Sequence, residues 1–222
     1  MKKKVIKYLV SRFYKPLLVK YLSKTRTYHF KGIHLLIPPE VFHPAFFFST
    51  KYLIRYIDGL ALNQQSFLEL GAGSGLISFF AAKKGAKVTA TDINPIAISY
   101  LEKNNAVNTA KLAEIIHSDL FNNVSPRTFD IIAINPPYYK KQPKTFAEHA
   151  WYCGEHGEYF DRLFRALSSY IHEQSQVLMT LSDGCDEAMI QELAARNGCT
   201  LHRVHSMKNL MEEIYIFKIA YN

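Results

Sequence analysis

The stretch that decides the fold is "SFLELGAGSGLIS", Ser66 to Ser78. Its first residues alternate as a buried strand does, glycines follow at 71, 73 and 75, and apolar residues then resume at helical spacing. A glycine-rich turn between strand and helix lets backbone N–H groups approach a ligand, and the amino end of the helix favours negative charge there. The dinucleotide fingerprint places glycine at the first, third and sixth positions. Here the sixth is Leu76 and the fifth is Gly75. Glu69, two residues before the first glycine, suits a cationic amino group. Asp92 ends the next apolar run, where an acid either accepts hydrogen bonds from a ribose or serves the start of the following helix.

Outward from this turn the pattern is regular. "KVTATD" reads as a strand, and "NPIAISYLEKNNAVN" as a helix capped by Asn94 with Pro95 at its first position. "EIIHSD", "FDIIAIN" and "QVLMTL" are further strands, and "GEYFDRLFRALSSYI" and "CDEAMIQELAARNG" further helices. The closing strands are "TLHRVHSM" and "EIYIFKIAY". Strands alternating with helices of this length predict an α/β, Rossmann-like fold, mostly parallel with helices on both faces. Before the core, "TYHFKGIHLLIPP" reads as a hairpin turning at Lys31-Gly32. "FFFSTKYLIRYIDGL" reads as a helix that Ser49 can cap. Lys7 to Leu22 has helical spacing interrupted by Pro16, which predicts a kink or two short helices. The expected organisation is a basic helical arm and hairpin over 1–58, packed on a catalytic body over 59–222.

The chain has 222 residues and a net charge of +8, unevenly placed. Residues 1–31 hold ten Lys/Arg and no acid, which leaves 17 basic residues against all 19 acidic ones elsewhere. The arm reads either as a solvated amphipathic helix or as a contact for nucleic acid, ribosome or an anionic surface. No apolar run reaches the ~20 residues of a membrane span. The basic start lacks the apolar core of a signal peptide. Three scattered cysteines fit neither a disulfide framework nor a zinc site, and the loop histidines His43, His149 and His156 have no metal spacing. The expected compartment is the cytoplasm, with no metal.

At the end of "FDIIAINPPYY" an apolar strand delivers Asn135 and stops at Pro136-Pro137-Tyr138-Tyr139. Prolines cannot continue a ladder, so they fix the direction of Asn135. The Asn135 side-chain oxygen and the Pro136 carbonyl are adjacent acceptors suited to a planar NH2 group, and Tyr138 can stack on that group. Asp119, ending "EIIHSD", can accept from an adenine amine or sit as a turn aspartate, with Leu120 or Phe121 packing on the base.

The set ELGAGSG, TDINP, SDLF and NPPY resembles the class I S-adenosylmethionine-dependent methyltransferases over roughly residues 60–222. That resemblance implies a seven-stranded sheet with its last strand antiparallel. It places Glu69, Gly71, Ala72, Gly73, Gly75, Asp92, Ile93, Asp119, Leu120 and Asn135 around the cofactor, and Asn135, Pro136 and Tyr138 at the methyl acceptor. NPPY further resembles the enzymes that methylate planar nitrogens: protein-glutamine methyltransferases of the HemK/PrmC type, which act on peptide-release factors, and adenine or guanine amine methyltransferases of RNA and DNA. The DNA enzymes often carry Asp where Asn135 stands. "AWYCGEHGEYFDRLF" is similar to a glycine stretch of the glutamine enzymes, with Cys153 at the first glycine, and its Trp151 either roofs the pocket or joins the core. Pro44 is followed by Ala45 and three phenylalanines in place of that group's acidic pair. A protein glutamine is the leading substrate expected, with RNA amines, a small planar substrate and a non-catalytic binding module left open. Translation-related partners follow from the same resemblance. An activator subunit is not specified by it.

Overall fold

A computed structural model describes residues 15–46, 48–209 and 212–221. Helix α1 (Lys15–Leu22) carries Pro16 in its first turn, where the missing N–H costs nothing. The part of the expected helix between residues 7 and 14 lies outside the described residues. Strands β1 (Arg26–Phe30) and β2 (Ile33–Ile37) form the expected hairpin, in register Arg26 to Ile37 and Phe30 to Ile33. Helix α2 (Phe48–Ile57) begins within the aromatic run.

The main sheet has seven strands: β3 (Ser66–Leu70), β4 (Lys87–Asp92), β5 (Glu114–His117), β6 (Ile131–Ile134), β7 (Gln176–Ser182), β8 (Cys199–Lys208) and β9 (Glu213–Tyr221). Their order is β5-β4-β3-β6-β7-β9-β8. The pairs from β5 to β7 are parallel, and β9 runs antiparallel between β7 and β8. This is the Rossmann-like sheet with an antiparallel last strand. Four helices connect the strands: α3 (Leu76–Lys83), α4 (Pro95–Val107), α5 (Glu158–Leu167) and α6 (Glu187–Arg196). The Asn94 side chain accepts from the Ile96 N–H at 2.9 Å, so α4 starts where its cap and Pro95 require.

Alternation along the strands divides the core in two. Phe67, Ile131, Ala133 and Leu178 face α2, α3 and the hairpin, together with Ile33, Leu35, Ile37, Leu53 and Ile57. Leu68, Ile132, Ile134, Met179 and Phe217 face α5 and α6. The hairpin and α2 therefore share one core with the glycine-loop helix.

Two asparagines dock the hairpin. Asn104, 0 % exposed, accepts from the Leu36 N–H at 2.8 Å and donates to the Leu36 carbonyl at 3.1 Å. Asn108, one turn on, does the same for His34 at 2.9 and 2.7 Å. Asn104 of α4 and the C-cap Asn108 thus complete the outer backbone edge of β2, which has no strand partner there among the described residues. Asn104 Nδ2 also reaches the Ser74 carbonyl at 3.4 Å, linking hairpin and glycine loop through one amide. Asn104→Ala strands two backbone groups of Leu36. It is expected to lower stability by about 2–4 kcal/mol in denaturant titrations, with an unchanged m-value.

Candidate active site

The parallel register lines up the carboxyl ends of the strands. Leu70 pairs with Thr91 on one side and Ile134 on the other, and Ile134 pairs with Met179. One residue further, Asp92, Gly71, Asn135 and Thr180 stand in one row. A single pocket opens over this row, lined by residues 40–42, Ser49, Thr50, Glu69, the glycine loop, Asp92 to Asn94, Ser118 to Leu120, and Asn135 to Tyr139. The aromatic loop with Phe146 and Trp151 closes its other end.

Gly71, Gly73 and Gly75 all have positive φ, at 72°, 54° and 84°. Their roles differ. A Cβ at Gly71 would meet nothing within 4 Å, and one at Gly73 only Val41 at 3.8 Å, so both edges face open space. At Gly75 a Cβ would lie 2.5 Å from Leu101 and 2.9 Å from Phe79. Gly75 caps α3 and does not line the pocket. Packing alone requires glycine here, because α3 sits too close to α4 for any side chain.

Glu69 is 3 % exposed, and one carboxyl oxygen receives both the Ser78 N–H, at 2.8 Å, and the Ser78 hydroxyl. Burial pushes its carboxyl up to about 8, opposed by the Ser78 hydrogen bonds and reinforced by Asp92. Asp92 accepts from the Gly73 N–H at 2.7 Å and the Asn94 N–H at 2.8 Å, and burial raises its carboxyl as well. It therefore shapes the glycine loop and serves the start of α4 while lining the pocket. Ala72, Ile93, Asp119 and Leu120 line it too, and Asp119 forms an ion pair with Arg162. Leu120 has φ 52°, whereas Phe121 is buried and stacks on Tyr170 at 4.2 Å. Of the two residues expected to pack on a base, only Leu120 reaches the pocket.

The Asn135 amide is held from two sides. The Thr180 hydroxyl donates to its Oδ1 at 2.6 Å, and its Nδ2 donates to Thr50 Oγ1 at 3.4 Å. Oδ1 is thus already engaged on one lone pair, which the reading of the strand end as a free acceptor did not include. Tyr138 packs edge-on to Tyr139 at 4.8 Å, and burial raises its phenol above the ordinary value, so it stays neutral. Burial pushes the Cys153 thiol up to about 11. Trp151 packs on Phe42 at 5.4 Å across the pocket mouth and is a lining residue. His149 also lines the pocket. His43 instead is buried among Tyr21, Tyr28 and Phe46. Sequence reasoning missed Thr50, Thr180 and Phe42. Only Thr180 carried a signal, as a hydroxyl inside an apolar strand.

A parallel sheet with a glycine loop, two buried acids and an Asn-Pro-Pro-Tyr strand end in one crevice is the arrangement of an S-adenosylmethionine-dependent methyltransferase. The chain belongs to the methyltransferase small domain family, whose model matches residues 35–152. It is 36 % identical over 147 residues to a Methanocaldococcus jannaschii protein with the provisional name protein N5-glutamine methyltransferase, covering 64 % of this chain and 72 % of that one. It is 36 % identical over 142 residues to the release factor glutamine methyltransferase of Koribacter versatilis, covering 58 % of this chain but only half of that protein. The fold is also that of the Mtq2 structure from the E. cuniculi Mtq2–Trm112 complex, with TM-score 0.61, 19 % identity, and 82 % and 99 % of the two chains covered.

The methyl donor is S-adenosylmethionine, which solved structures of this fold hold intact or as its demethylated product. The pocket has room and polar groups that suit it: open space over Gly71 and Gly73, a buried acid at Glu69, and a second acid at the end of β4. A ligand ammonium beside Glu69 requires the carboxylate, so below about pH 8 binding must first remove its proton. The ligand's α-amino group loses its own proton near pH ~8. Calorimetric affinity is therefore expected to rise toward pH 8 and fall beyond it. Glu69→Gln should flatten the rising limb alone. For the unliganded protein the sign is opposite. The folded state retains a proton that the unfolded chain releases above the ordinary carboxyl value of 4.5, so stability declines as pH climbs from there through about 8.

Proposed function

We propose that this chain transfers the methyl group to a planar nitrogen, a protein glutamine amide, with Asn135, Pro136 and Tyr138 holding the acceptor. The observation that carries this reading is Asn135 at the head of the row of strand ends, opening into the pocket that the glycine loop also lines. The glutamine-methylating names of the relatives support the acceptor class. In this reading Glu69 takes the donor's amino group, Asp92 the ribose, and Ile93, Asp119 and Leu120 the adenine. The Gly71 to Gly73 backbone passes close to the amino-acid portion.

When bound, the donor supplies an activated methyl carbon and leaves with the sulfur–carbon electron pair. The protein's part is to place the acceptor nitrogen in line with that carbon. An amide nitrogen is a poor nucleophile because its lone pair is delocalised. Accepting both its N–H bonds, at Asn135 Oδ1 and the Pro136 carbonyl, fixes the NH2 plane and raises electron density on nitrogen. The Tyr138 ring stacks on the amide plane and tolerates the cationic sulfonium nearby. Tyr138 and Cys153 are both held neutral by burial, so neither supplies a base. The proton leaves to solvent after transfer.

The basic segment over residues 1–31 favours a second acceptor class, an RNA exocyclic amine, through salt-dependent attraction to phosphates. Tritiated S-adenosylmethionine incubated with a cell lysate, then treated with protease or nuclease, separates the two. Protease-sensitive label is the expected result, and nuclease-sensitive label would transfer the reading to RNA. Asn135→Ala should fold, bind the donor with near-normal affinity and lose about two orders of magnitude in turnover. Retained turnover would reduce NPPY to a structural turn. Removing residues 2–14 should leave donor affinity unchanged and weaken acceptor binding most at low salt, measured by titration at two ionic strengths.

A further inference from the structure

We propose that Thr180 is a positioning residue for methyl transfer: its hydroxyl locks the Asn135 amide in the orientation that turns the second lone pair of Oδ1 toward the substrate. The inference rests on the proposed role of Asn135 and extends it to a residue that lies outside the NPPY motif and does not line the pocket.

Thr180 is the one hydroxyl-bearing residue in the run Val177 to Leu181 of β7 and is 0 % exposed. A buried hydroxyl without a partner is costly, and valine has nearly the same shape. Packing therefore gives no reason for threonine here. The hydrogen bond to Asn135 Oδ1, at 2.6 Å, gives one. Register brings the two residues together. Ile134 and Met179 are paired neighbours on parallel strands, so the next residues, Asn135 and Thr180, must also lie side by side.

The chemistry needs this help. The Asn135 amide has two faces of similar shape, and rotating it by half a turn exchanges Oδ1 for Nδ2. In the wrong orientation the side chain presents NH2 to a substrate NH2, donor against donor. Thr180 gives its one proton to Oδ1; with the amide reversed it would accept from Nδ2 instead and have to place that proton elsewhere in a fully buried site, which favours the useful orientation. On the other side Nδ2 donates to Thr50 Oγ1 at 3.4 Å. A carbonyl oxygen has two lone pairs, so one remains for the acceptor. Two residues further, on the same face of β7, Ser182 partners the Tyr138 phenol. The strand beside β6 thus steadies two side chains of the motif from behind.

The test compares wild type with Thr180→Val, Thr180→Ser, Asn135→Ala and the Thr180→Val/Asn135→Ala double variant. Each is assayed for initial methyl transfer from tritiated S-adenosylmethionine to lysate acceptor, and for donor affinity by calorimetry. Thr180→Val should lower turnover by roughly tenfold or more while donor affinity stays within about twofold. Thr180→Ser, which keeps the hydroxyl, should restore most of the rate. In the Asn135→Ala background Thr180→Val should add no further loss, because the residue acts only through that amide. The Asn135 side-chain amide signals in nitrogen-15 spectra should shift in Thr180→Val and stay near their wild-type positions in Thr180→Ser, with no acceptor present. Wild-type turnover in Thr180→Val, unmoved amide signals, or an additive loss in the double variant would overturn the proposal while leaving Asn135 in place. Full turnover in Asn135→Ala would overturn both.

Discussion

The site depends on the hydrogen-bonded register of four parallel strands. Because Leu70, Thr91, Ile134 and Met179 are level across the sheet, the first residues beyond them are level too. Those residues are Gly71, Asp92, Asn135 and Thr180, and the chain continues from each in a different way. Gly71 turns into a left-handed conformation, Asp92 folds back on the loop beside it, Asn135 is stopped by two prolines, and Thr180 stays within its strand. A slip of one residue in any pair would turn the affected side chain to the opposite face. The apolar pattern prevents it, since Phe67, Ala133 and Leu178 are buried on one side and Leu68, Ile134 and Met179 on the other.

The glycine loop is held open by the acids beneath it. Asp92 binds the Gly73 N–H, and Glu69 binds both donors of Ser78 at the first turn of α3. Each acid stabilises backbone donors that a helix start or tight turn leaves unpaired. Both also keep raised carboxyl values because water is excluded around them. The protein thus keeps two carboxyl groups that resist ionisation next to the space over Gly71. In the proposed reading the donor's cation lies beside Glu69 and favours its ionised form.

Much of this was legible in the sequence because it is written in local patterns. Strand–turn–helix alternation, the Asn94-Pro95 helix start and the hairpin at Lys31-Gly32 each depend on neighbouring residues, and each appears where the pattern requires. What was not legible depends on partners far along the chain. Gly75 reads as a loop glycine until Leu101 and Phe79 are seen to occupy the space of its side chain. Asn104 and Asn108 carry no local signal in the helix sequence, yet they complete the edge of β2, some seventy residues away in the chain. Thr180 differs from its apolar neighbours only by one oxygen, whose meaning appears once Asn135 lies beside it.

The two halves of the pocket are built from different materials. The half around the glycine loop is main chain and buried acid, set by sheet register and open to few alternatives. The other half is made by side chains from two segments outside the sheet, and these meet where Phe42 packs on Trp151. Sequence can vary there without disturbing the ladder, which is why a shared sheet does not by itself fix the acceptor. Asn135 stands where the halves join, and its neutrality follows from that position. Glu69 and Asp92 already lie close together in a dry environment, where burial raises both carboxyls and the charge of Asp92 raises that of Glu69 further. A third carboxylate, one strand over from Gly71, would add to that repulsion and demand its own counter-charge. An amide offers the same planar acceptor oxygen without the charge, and the Thr180 hydroxyl fixes which end it presents.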